Sequence, residues 1–229
     1  MPLGELLLEQ AGVFAINKPS GVSVIPGRGA SEPCLLEQWQ ERLGKRLWTV
    51  HRLDRDTTGV LLFALDAKTH RALSMAFEKG DVRKTYLALV QGALEGERNV
   101  DFRLVPARKS RMRIAREGEE GKPASTRIRP METFSGFSLV EARPLTGRTH
   151  QIRVHLQALG HPLMFDHQYG RSEAWVESDF GKEGTSIVLS RTPLHAASLE
   201  LAGDVSLKVS APLPQDMATV LKLLRPPQG

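Results

Sequence analysis

Cysteine is almost absent from the 229-residue chain, and long apolar runs are missing. The single cysteine, Cys34, cannot form an internal disulfide or a cysteine-based zinc site. No stretch approaches the roughly 20 apolar residues that a membrane-spanning helix requires. The leucine run in residues 1–10 is interrupted by Glu5 and Glu9 and follows no basic segment, which argues against a signal peptide. We therefore expect a cytoplasmic protein that does not enter a membrane.

Several catalytic motifs are also missing. The sequence has no Gly-x-x-x-x-Gly-Lys-Ser/Thr phosphate loop, no dinucleotide-binding glycine pattern and no Gly-x-Ser-x-Gly elbow. None of the seven histidines belongs to a His-Glu-x-x-His motif. These absences argue against nucleotide hydrolysis, hydride transfer and a serine nucleophile, and we predict that the protein uses neither a metal nor a cofactor.

Positive charge is concentrated in one segment. The chain carries a net charge of +5, with 31 basic and 26 acidic residues, and a pI near 9.6. A polyanionic partner is favoured only modestly by such a total. Residues 103–129 contain nine basic residues against three acidic ones, all read from the sequence. A solvated surface explains a charge run on its own, and a phosphate contact is the alternative that other motifs can favour.

Apolar patterning predicts many strands and few helices. Strands are expected at residues 13–17, 48–53, 60–65, 84–91, 137–142, 186–189, 197–201 and 207–209. Helices are expected at residues 35–43, 67–79, 148–159 and 216–224. The basic segment is predicted to form an extended hairpin that turns at residues 118–121, and residues 171–185 a loop. The pattern indicates an α+β fold with a mixed, mostly antiparallel sheet and flanking helices, in one domain over residues 1–229.

Residues 51–59 form a polar cluster at the end of a predicted strand. Asp54 stands between Arg52 and Arg55, so its charged form is favoured and it would serve as a nucleophile or base at neutral pH. A salt-bridged turn, in which Asp56 or Thr57 binds the backbone, explains the same residues without catalysis.

A second cluster covers residues 144–155, where a helix is predicted to begin. On that helix His150 and Arg153 share one face, while Ile152 and Leu156 point to the core. Arginine and imidazole groups near the start of a helix suit phosphate or carboxylate partners. Taken alone, this cluster is equally compatible with a surface helix.

Together the two clusters resemble the signatures of RluA-type pseudouridine synthases. Residues 51–64, HRLDRDTTGVLLFA, are similar to HRLDxxTSGLLLxA, and GRTHQIRVH with the later GHPL is similar to the family's second signature. Residues 17–21 and 84–90 are similar to its NKPxG and KxYxAxV motifs. The resemblance covers residues 13–210 and implies the pseudouridine synthase catalytic fold.

The resemblance implies a role for individual residues. Asp54 would be the catalytic aspartate, Tyr86 the ring against the target base, Arg153 the ion-pair partner of Asp54, and Leu194 an apolar wall near the base. Four polar residues would bind RNA or support the site: Lys18, His51, Arg52 and Arg148. A clamp on RNA phosphates would come from Arg108, Lys109, Arg111 and Arg113.

The implied activity is the isomerisation of specific uridines to pseudouridine in structured ribosomal or transfer RNA. The sequence does not reveal the oligomeric state, and we expect a monomer by default. The aspartate would attack the sugar at C1′ or remove a sugar proton to give a glycal, and both routes stay open. Many relatives carry an S4 domain before the catalytic part, whereas this chain begins almost directly with the motifs. We therefore expect RNA selection to rest on this domain or on other proteins.

Two positions depart from the family pattern, and two other functions compete with this interpretation. Phe165 stands where glycine is common, which affects the path of that loop, and Thr58 replaces a serine. One rival is a catalytically silent RNA-binding or ribosome-assembly protein with the same fold. The other is a metal-dependent nuclease or phosphoesterase that uses Asp54, Asp56, Asp166 and the histidines.

Overall fold

The structure, a computed structural model, describes residues 3–27, 32–202 and 206–225. The chain divides into two compact units. The first comprises Met1–Thr85 and Ala196–Pro212, and the second Tyr86–His195 and Leu213–Gly229.

Strands and helices have the following bounds. The strands are β1 (Glu5–Gln10), β2 (Val13–Lys18), β3 (Trp48–Thr49), β4 (Thr58–Ala64), β5 (Val82–Gln91), β6 (Arg98–Pro106), β7 (Met112–Ile114), β8 (Lys122–Phe134), β9 (Phe137–Pro144), β10 (Trp175–Val176), β11 (Ile187–Leu189), β12 (Leu194–Leu201) and β13 (Leu207–Ser210). The α-helices are α1 (Leu35–Leu43), α2 (Ala67–Lys79), α3 (Gln151–Ala158) and α4 (Gln215–Leu224), and a short 3-10 helix spans Glu177–Phe180.

Strand β4 lies at the centre of the first unit. It pairs with β2 and β3, β2 pairs with β1, and β12 pairs with β13, all antiparallel. All seven residues of β4 are buried, as expected of a strand covered on both faces. Helix α2 begins where Asp66 accepts a hydrogen bond from the Thr69 N–H and ends at Gly80 in the left-handed conformation, as its sequence predicts. Its buried Leu73 packs into the core with residues of β2 and β4.

The second unit is built on antiparallel pairs of β5 with β9, β9 with β8, β8 with β6, and β6 with β7. Helix α3 packs against these strands through Ile152 and Leu156, which join Val90, Ile128 and Val140 in one buried cluster. A second cluster buries Met217, Val220 and Leu221 of α4. The predicted α+β class with mostly antiparallel strands is confirmed.

The hairpin of the basic segment turns elsewhere than predicted. Strand β6 pairs with β7 after a turn over residues 107–111, in which Lys109 and Ser110 have φ angles of 57° and 55°. Residues 118–121 instead connect β7 to β8, and both of these strands pair with β6. The predicted position of the hairpin turn was wrong because the glycines at 118 and 121 indicated a turn there. The observed hairpin turn instead holds non-glycine residues in a conformation that normally favours glycine.

Further segments differ from the sequence prediction, including the strand expected at residues 48–53, of which only Trp48–Thr49 is a strand. Helix α3 begins at Gln151, because His150 takes a left-handed φ of 54°. Residues 171–185, predicted as a loop, contain β10 and the 3-10 helix. Strand β1 lies in the leucine run near the N-terminus, which was not predicted as a strand. Among the described residues, no helix is long and apolar enough to span a bilayer.

Candidate active site

Asp54 lies in the loop that leads into β4, where residues 54–57 form a turn. The Thr57 N–H donates to the Asp54 carbonyl at 3.2 Å. The Asp54 side chain is partly exposed, whereas Thr57 and Thr58 are buried. The turn therefore presents a carboxylate from a backbone that is anchored on its C-terminal side by the fully buried strand.

Lys18 holds this loop from within the first unit. It is fully buried, and its ammonium group donates to the carbonyl oxygens of Pro19 at 2.7 Å, Arg55 at 2.7 Å and Thr57 at 3.0 Å. A buried ammonium is stable only when its protons find acceptors. Lys18 therefore supports the Asp54 loop, and its burial leaves no exposed surface for RNA.

Three further hydrogen bonds join the loop to residues 20–21. The Ser20 hydroxyl donates to the Asp56 carbonyl at 3.1 Å, and the Arg55 Nε to the Gly21 carbonyl at 2.8 Å. The Gly21 N–H returns a bond to the Arg55 carbonyl at 3.0 Å. The NKPSG and HRLDRDTTG segments, far apart in sequence, thus form one hydrogen-bonded structure.

His51, three residues before Asp54, also anchors the Asp54 loop through contacts with β4 and α2. Its Nε2 accepts a hydrogen bond from the Leu62 N–H at 3.0 Å, and its ring stacks on Phe77 with centroids 4.7 Å apart. Burial, and secondarily the charge of Lys84, lower the pKa of His51 to about 3. The imidazole is therefore neutral at physiological pH, while the neighbouring Arg52 is exposed.

Tyr86 and Leu194 come together in the second unit. Tyr86, opposite Ala142 in the β5–β9 pair, is partly buried. It packs against the cluster that contains Leu194 and Ile152. An aromatic ring beside buried aliphatic side chains is a surface on which a base can stack. The predicted ring and apolar wall therefore share one local environment.

Arg153 is held by a buried carboxylate. Its Nε donates to Asp166 Oδ2 and its Nη2 to Asp166 Oδ1, both at 2.7 Å, and Nη2 also donates to the Gln168 side chain at 3.0 Å. Asp166 is fully buried, and its Oδ1 accepts the N–H groups of Gln168 and Tyr169 as well. We call residues 165–170 the arginine cradle. The predicted pairing of Arg153 with Asp54 stays a prediction.

Phe165, the unusual residue of the cradle, does not disturb it. Its side chain is buried in the cluster that contains Met164 and Trp175, and its ring meets His167 edge-on at 4.7 Å. The bulky side chain therefore fills the core, while the next residue, Asp166, is directed to Arg153. Sequence reasoning placed Asp166 only in the rival metal site. The fourfold hydrogen bonding of its carboxylate depends on contacts that sequence does not show.

Gln151, also missed from sequence, joins the start of α3 to β8. Its amide nitrogen donates to the Ser125 carbonyl and the Thr126 hydroxyl, both at 2.9 Å. Its amide oxygen accepts the Thr146 hydroxyl at 2.7 Å and the Arg148 N–H at 3.0 Å. Arg148 itself is exposed, so its side chain is accessible to RNA next to this fixed helix start.

The basic residues of the hairpin are not equivalent. Arg108, Lys109 and Arg111 are exposed on the turn, which we call the basic turn (residues 107–111). Arg113 instead forms a bidentate pair with Glu119, with both N–O distances 2.7 Å. Hydrogen bonding to Arg113 lowers the pKa of Glu119 to about 2. Arg113 keeps its charge, but the adjacent Glu119 carboxylate offsets its attraction for a phosphate, in contrast to the three exposed residues of the basic turn.

Metal ligands do not cluster in the part of the chain that the structure describes. No group of three or more His, Cys, Asp or Glu side chains there is arranged to hold an ion. Asp166, which the nuclease hypothesis requires as a ligand, has its carboxylate directed to Arg153 and to backbone N–H groups.

The sequence is similar to known RNA-modifying enzymes. Residues 12–158 match the family model for RNA pseudouridylate synthase. The ribosomal large subunit pseudouridine synthase C of Pasteurella multocida is 38% identical over 230 residues, which cover 96% of this chain and 68% of that protein. The enzyme of the same name from Escherichia coli K12 is 38% identical over 227 residues, covering 96% and 70%.

The fold is similar to that of two solved human proteins. RNA pseudouridylate synthase domain containing 4 matches with a TM-score of 0.78 at 24% identity, covering 96% of this chain and 92% of that one. RNA pseudouridylate synthase domain containing 1 matches with a TM-score of 0.72 at 25% identity, covering 96% and 94%. Motifs, sequence and fold agree, and the chain belongs to the RNA pseudouridylate synthase family, as an isomerase that acts on RNA.

Proposed function

We propose that this chain converts specific uridines of large-subunit ribosomal RNA to pseudouridine, with Asp54 as its catalytic carboxylate. The observation that carries the proposal is the Asp54 loop, whose carbonyl groups at Arg55 and Thr57 are held by the buried Lys18 ammonium. A carboxylate on a preorganised backbone can be aligned with a sugar without further ordering. The names of the relatives, which specify the large ribosomal subunit, favour ribosomal over transfer RNA.

The reaction exchanges one bond for another within the nucleotide. The N1–C1′ bond breaks, the base rotates, and a C5–C1′ bond forms, while C5 loses a proton and N1 gains one. No electrons are gained or lost overall. An ionised Asp54 can attack C1′ to form a sugar ester or remove a sugar proton to form a glycal. Both routes require the carboxylate to lie beside the ribose.

In this proposal Arg153, Tyr86 and Leu194 complete the site. A guanidinium attracts a carboxylate and can donate hydrogen bonds to it, so Arg153 would pair with Asp54 and orient it when the substrate excludes water. Tyr86 would stack on the uracil, with Leu194 as the apolar wall beside it. The support for these roles is the shared packing of Tyr86 with Leu194 and the rigid holding of Arg153 by Asp166.

The RNA would be held by exposed basic side chains. The basic turn supplies three such side chains, and Arg52 and Arg148 are exposed as well. Contacts from these groups to phosphates would help to offset the few kcal/mol needed to flip a uridine out of its stack. The local contacts of Lys18 and His51 favour support of the loop over direct RNA binding. We expect a cytoplasmic monomer.

The proposal is tested by mapping pseudouridine in total RNA with a carbodiimide readout. Cells would carry the wild-type protein, no protein, Asp54→Asn or Asp81→Asn, the last of which removes an exposed carboxylate from the same unit. We expect one or more sites in large-subunit ribosomal RNA to vanish without the protein and with Asp54→Asn. The same sites should persist with Asp81→Asn.

Two outcomes would contradict the proposal. Sites that persist with Asp54→Asn would show that this carboxylate is not required. The silent RNA-binding protein would be favoured if the pseudouridine sites were the same in every strain and if Asp54→Asn still corrected a growth or ribosome-assembly defect of the strain without the protein. If a site vanished from transfer RNA alone, the proposed chemistry would be supported, but the substrate would be transfer RNA and not ribosomal RNA.

A further inference from the structure

Tyr169 joins the basic hairpin to the arginine cradle. Its side chain is buried with Leu104 and Val154, and Met112 of β7 packs against this cluster. Val154 is the helix neighbour of Arg153, so the hairpin rests on the same short part of α3 that carries the arginine. Apolar packing therefore brings the strand after the basic turn directly against the cradle.

The hydroxyl group of Tyr169 is bonded to the hairpin backbone. The Met112 N–H donates to the Tyr169 oxygen at 2.7 Å, and His150 Nδ1 lies 2.8 Å from the same oxygen. Opposite Met112 in the β6–β7 pair stands Pro106, a residue with no N–H group. In the three-residue β7, this bond adds to the pairing with β6 and to the flanking bonds from the Ala107 N–H to the Arg111 carbonyl at 2.8 Å and from the Ala115 N–H to the Arg103 carbonyl at 2.7 Å.

The other parts of Tyr169 contact Arg153 and its partner. The Arg153 guanidinium carbon lies 4.9 Å from the centre of the Tyr169 ring, within the range of a cation–π contact. The Tyr169 N–H donates to Asp166 Oδ1 at 3.2 Å. One residue thus touches the hairpin through its hydroxyl, the guanidinium through its ring, and the carboxylate through its backbone.

We propose that Tyr169 is a positioning residue that couples RNA binding at the basic turn to the orientation of Arg153. The inference rests on the proposed function and adds that binding of the RNA substrate helps to orient Arg153. Arg111, the last residue of the basic turn, is directly followed by Met112. A phosphate that draws the turn into a fixed position therefore fixes the Met112 N–H, and through it the Tyr169 ring beside Arg153. The coupling acts through Arg153, and Tyr169 itself touches no reacting atom.

Tyr169→Phe tests the coupling because it removes the hydroxyl and keeps the ring. Single-turnover rates would be measured by tritium release from in vitro transcribed large-subunit ribosomal RNA labelled at uridine C5, and affinity by filter binding. We expect the rate constant at saturating RNA to fall about tenfold, since small misplacements of catalytic groups are costly. Affinity should change less than about twofold, because the phosphate-binding side chains are intact.

Ser138→Ala provides the matched control. Ser138 is fully buried in the same unit, and its hydroxyl accepts the Leu94 N–H and donates to the Gly92 carbonyl, both at 2.9 Å. Like Tyr169→Phe, this substitution removes a buried hydroxyl that bonds backbone groups, but it does so away from the arginine cradle. We expect a similar loss of thermal stability in the two variants and a wild-type rate constant only for Ser138→Ala.

A double-mutant cycle distinguishes coupling between the basic turn and Arg153 from a general loss of structural order in the Tyr169→Phe protein. Arg108→Gln with Lys109→Gln should lower both affinity and the saturated rate constant in the wild-type background. In the Tyr169→Phe background it should lower affinity alone, because the bond from the hairpin backbone to Tyr169 is already lost while the Arg111 side chain still donates to the His167 carbonyl at 3.5 Å.

Three results would overturn the inference: a wild-type rate constant for Tyr169→Phe, an equal loss for Ser138→Ala, or additive effects in the cycle. Each of these assumes an active wild-type protein, and an inert wild type would instead reject the proposed function.

Discussion

The Lys18 ammonium lies 2.7 Å from the carbonyl oxygen of Arg55, a residue 37 positions further along the chain. Its other acceptors are the carbonyls of Pro19 and Thr57, so one buried cation connects the end of β2 to the part of the turn that follows Asp54. The position of the carboxylate therefore depends on a residue that is hidden from the substrate.

Lys18→Met should weaken both the fold and the activity. The methionine fills a similar volume and removes the ammonium donor from three carbonyl groups, of which the Arg55 carbonyl still accepts the Gly21 N–H. This loss should lower the free energy of unfolding by about 2 to 3 kcal/mol. Urea unfolding and single-turnover rates measure the two effects. Lys45→Met, at an exposed lysine of the same unit, is the control. Equal unfolding curves for the two variants would contradict the role of Lys18.

Gly59→Ala should destabilise the first unit more than Gly21→Ala does. Both glycines have positive φ angles, 108° and 82°, so each substitution introduces strain of about 1–2 kcal/mol. An added Cβ at Gly59 would meet the Ala196 carbonyl oxygen, whereas one at Gly21 would meet nothing within 4 Å. We expect an extra loss of about 2 kcal/mol at Gly59, because packed backbone must shift. Thermal unfolding of the two variants gives the difference, and equal losses would disprove the steric cause.

His155 should make the protein less stable as the pH falls. Burial lowers the pKa of His155 to about 4, whereas an unfolded histidine titrates near 6.5. Between these values the unfolded state binds a proton that the folded state does not. The stability associated with the neutral imidazole is therefore present above pH 6.5 and lost as the pH falls toward 4, by up to about 1.4 kcal/mol per pH unit.

His155→Leu should remove this part of the pH dependence. Among the described residues, neither ring nitrogen of His155 has a hydrogen-bond partner, so an apolar side chain should be tolerated at pH 7. Urea unfolding at pH 7, 6 and 5 should give a flatter profile than that of the wild type or of His70→Gln. Parallel profiles for all three proteins would show that His155 is not the responsible group.

The exposed charges of the basic turn should determine the salt dependence of RNA binding. Replacing Arg108, Lys109 and Arg111 together by glutamine should reduce the slope of log affinity against log salt by about 2 to 3, since each of the three lost phosphate contacts removes about 0.7 to 0.9 of a released ion. Arg113→Gln should change the slope less, because Glu119 already pairs with Arg113. Titrations at several salt concentrations measure both slopes. If the slopes agreed for all the variants, the RNA contact would lie elsewhere.

Much of the fold and part of the site could be predicted from sequence. Helix α2 was bounded correctly because Asp66 and Gly80 act on their immediate neighbours. The continuous apolar run predicted the existence of β4, although the strand spans Thr58–Ala64 and was predicted at residues 60–65. The polar cluster around Asp54 was found for the same reason, since the nature of its residues is visible in one short segment. The family and its chemistry followed from such segments in order, and the comparisons confirm them.

Other features depended on the tertiary structure. The burial of Lys18 and the bonds of Asp166 to Arg153 join residues that sequence patterns treat as independent. The hairpin turn formed at Lys109 and Ser110, against their local preference, because strand pairing and the contact of Met112 with Tyr169 outweigh the strain of a left-handed turn. Sequence alone determined which chemical groups are available and where most strands and helices lie, because these depend on local periodicity and capping. Only the tertiary structure decided which groups are held, buried or left exposed, because those properties arise from contacts between distant segments.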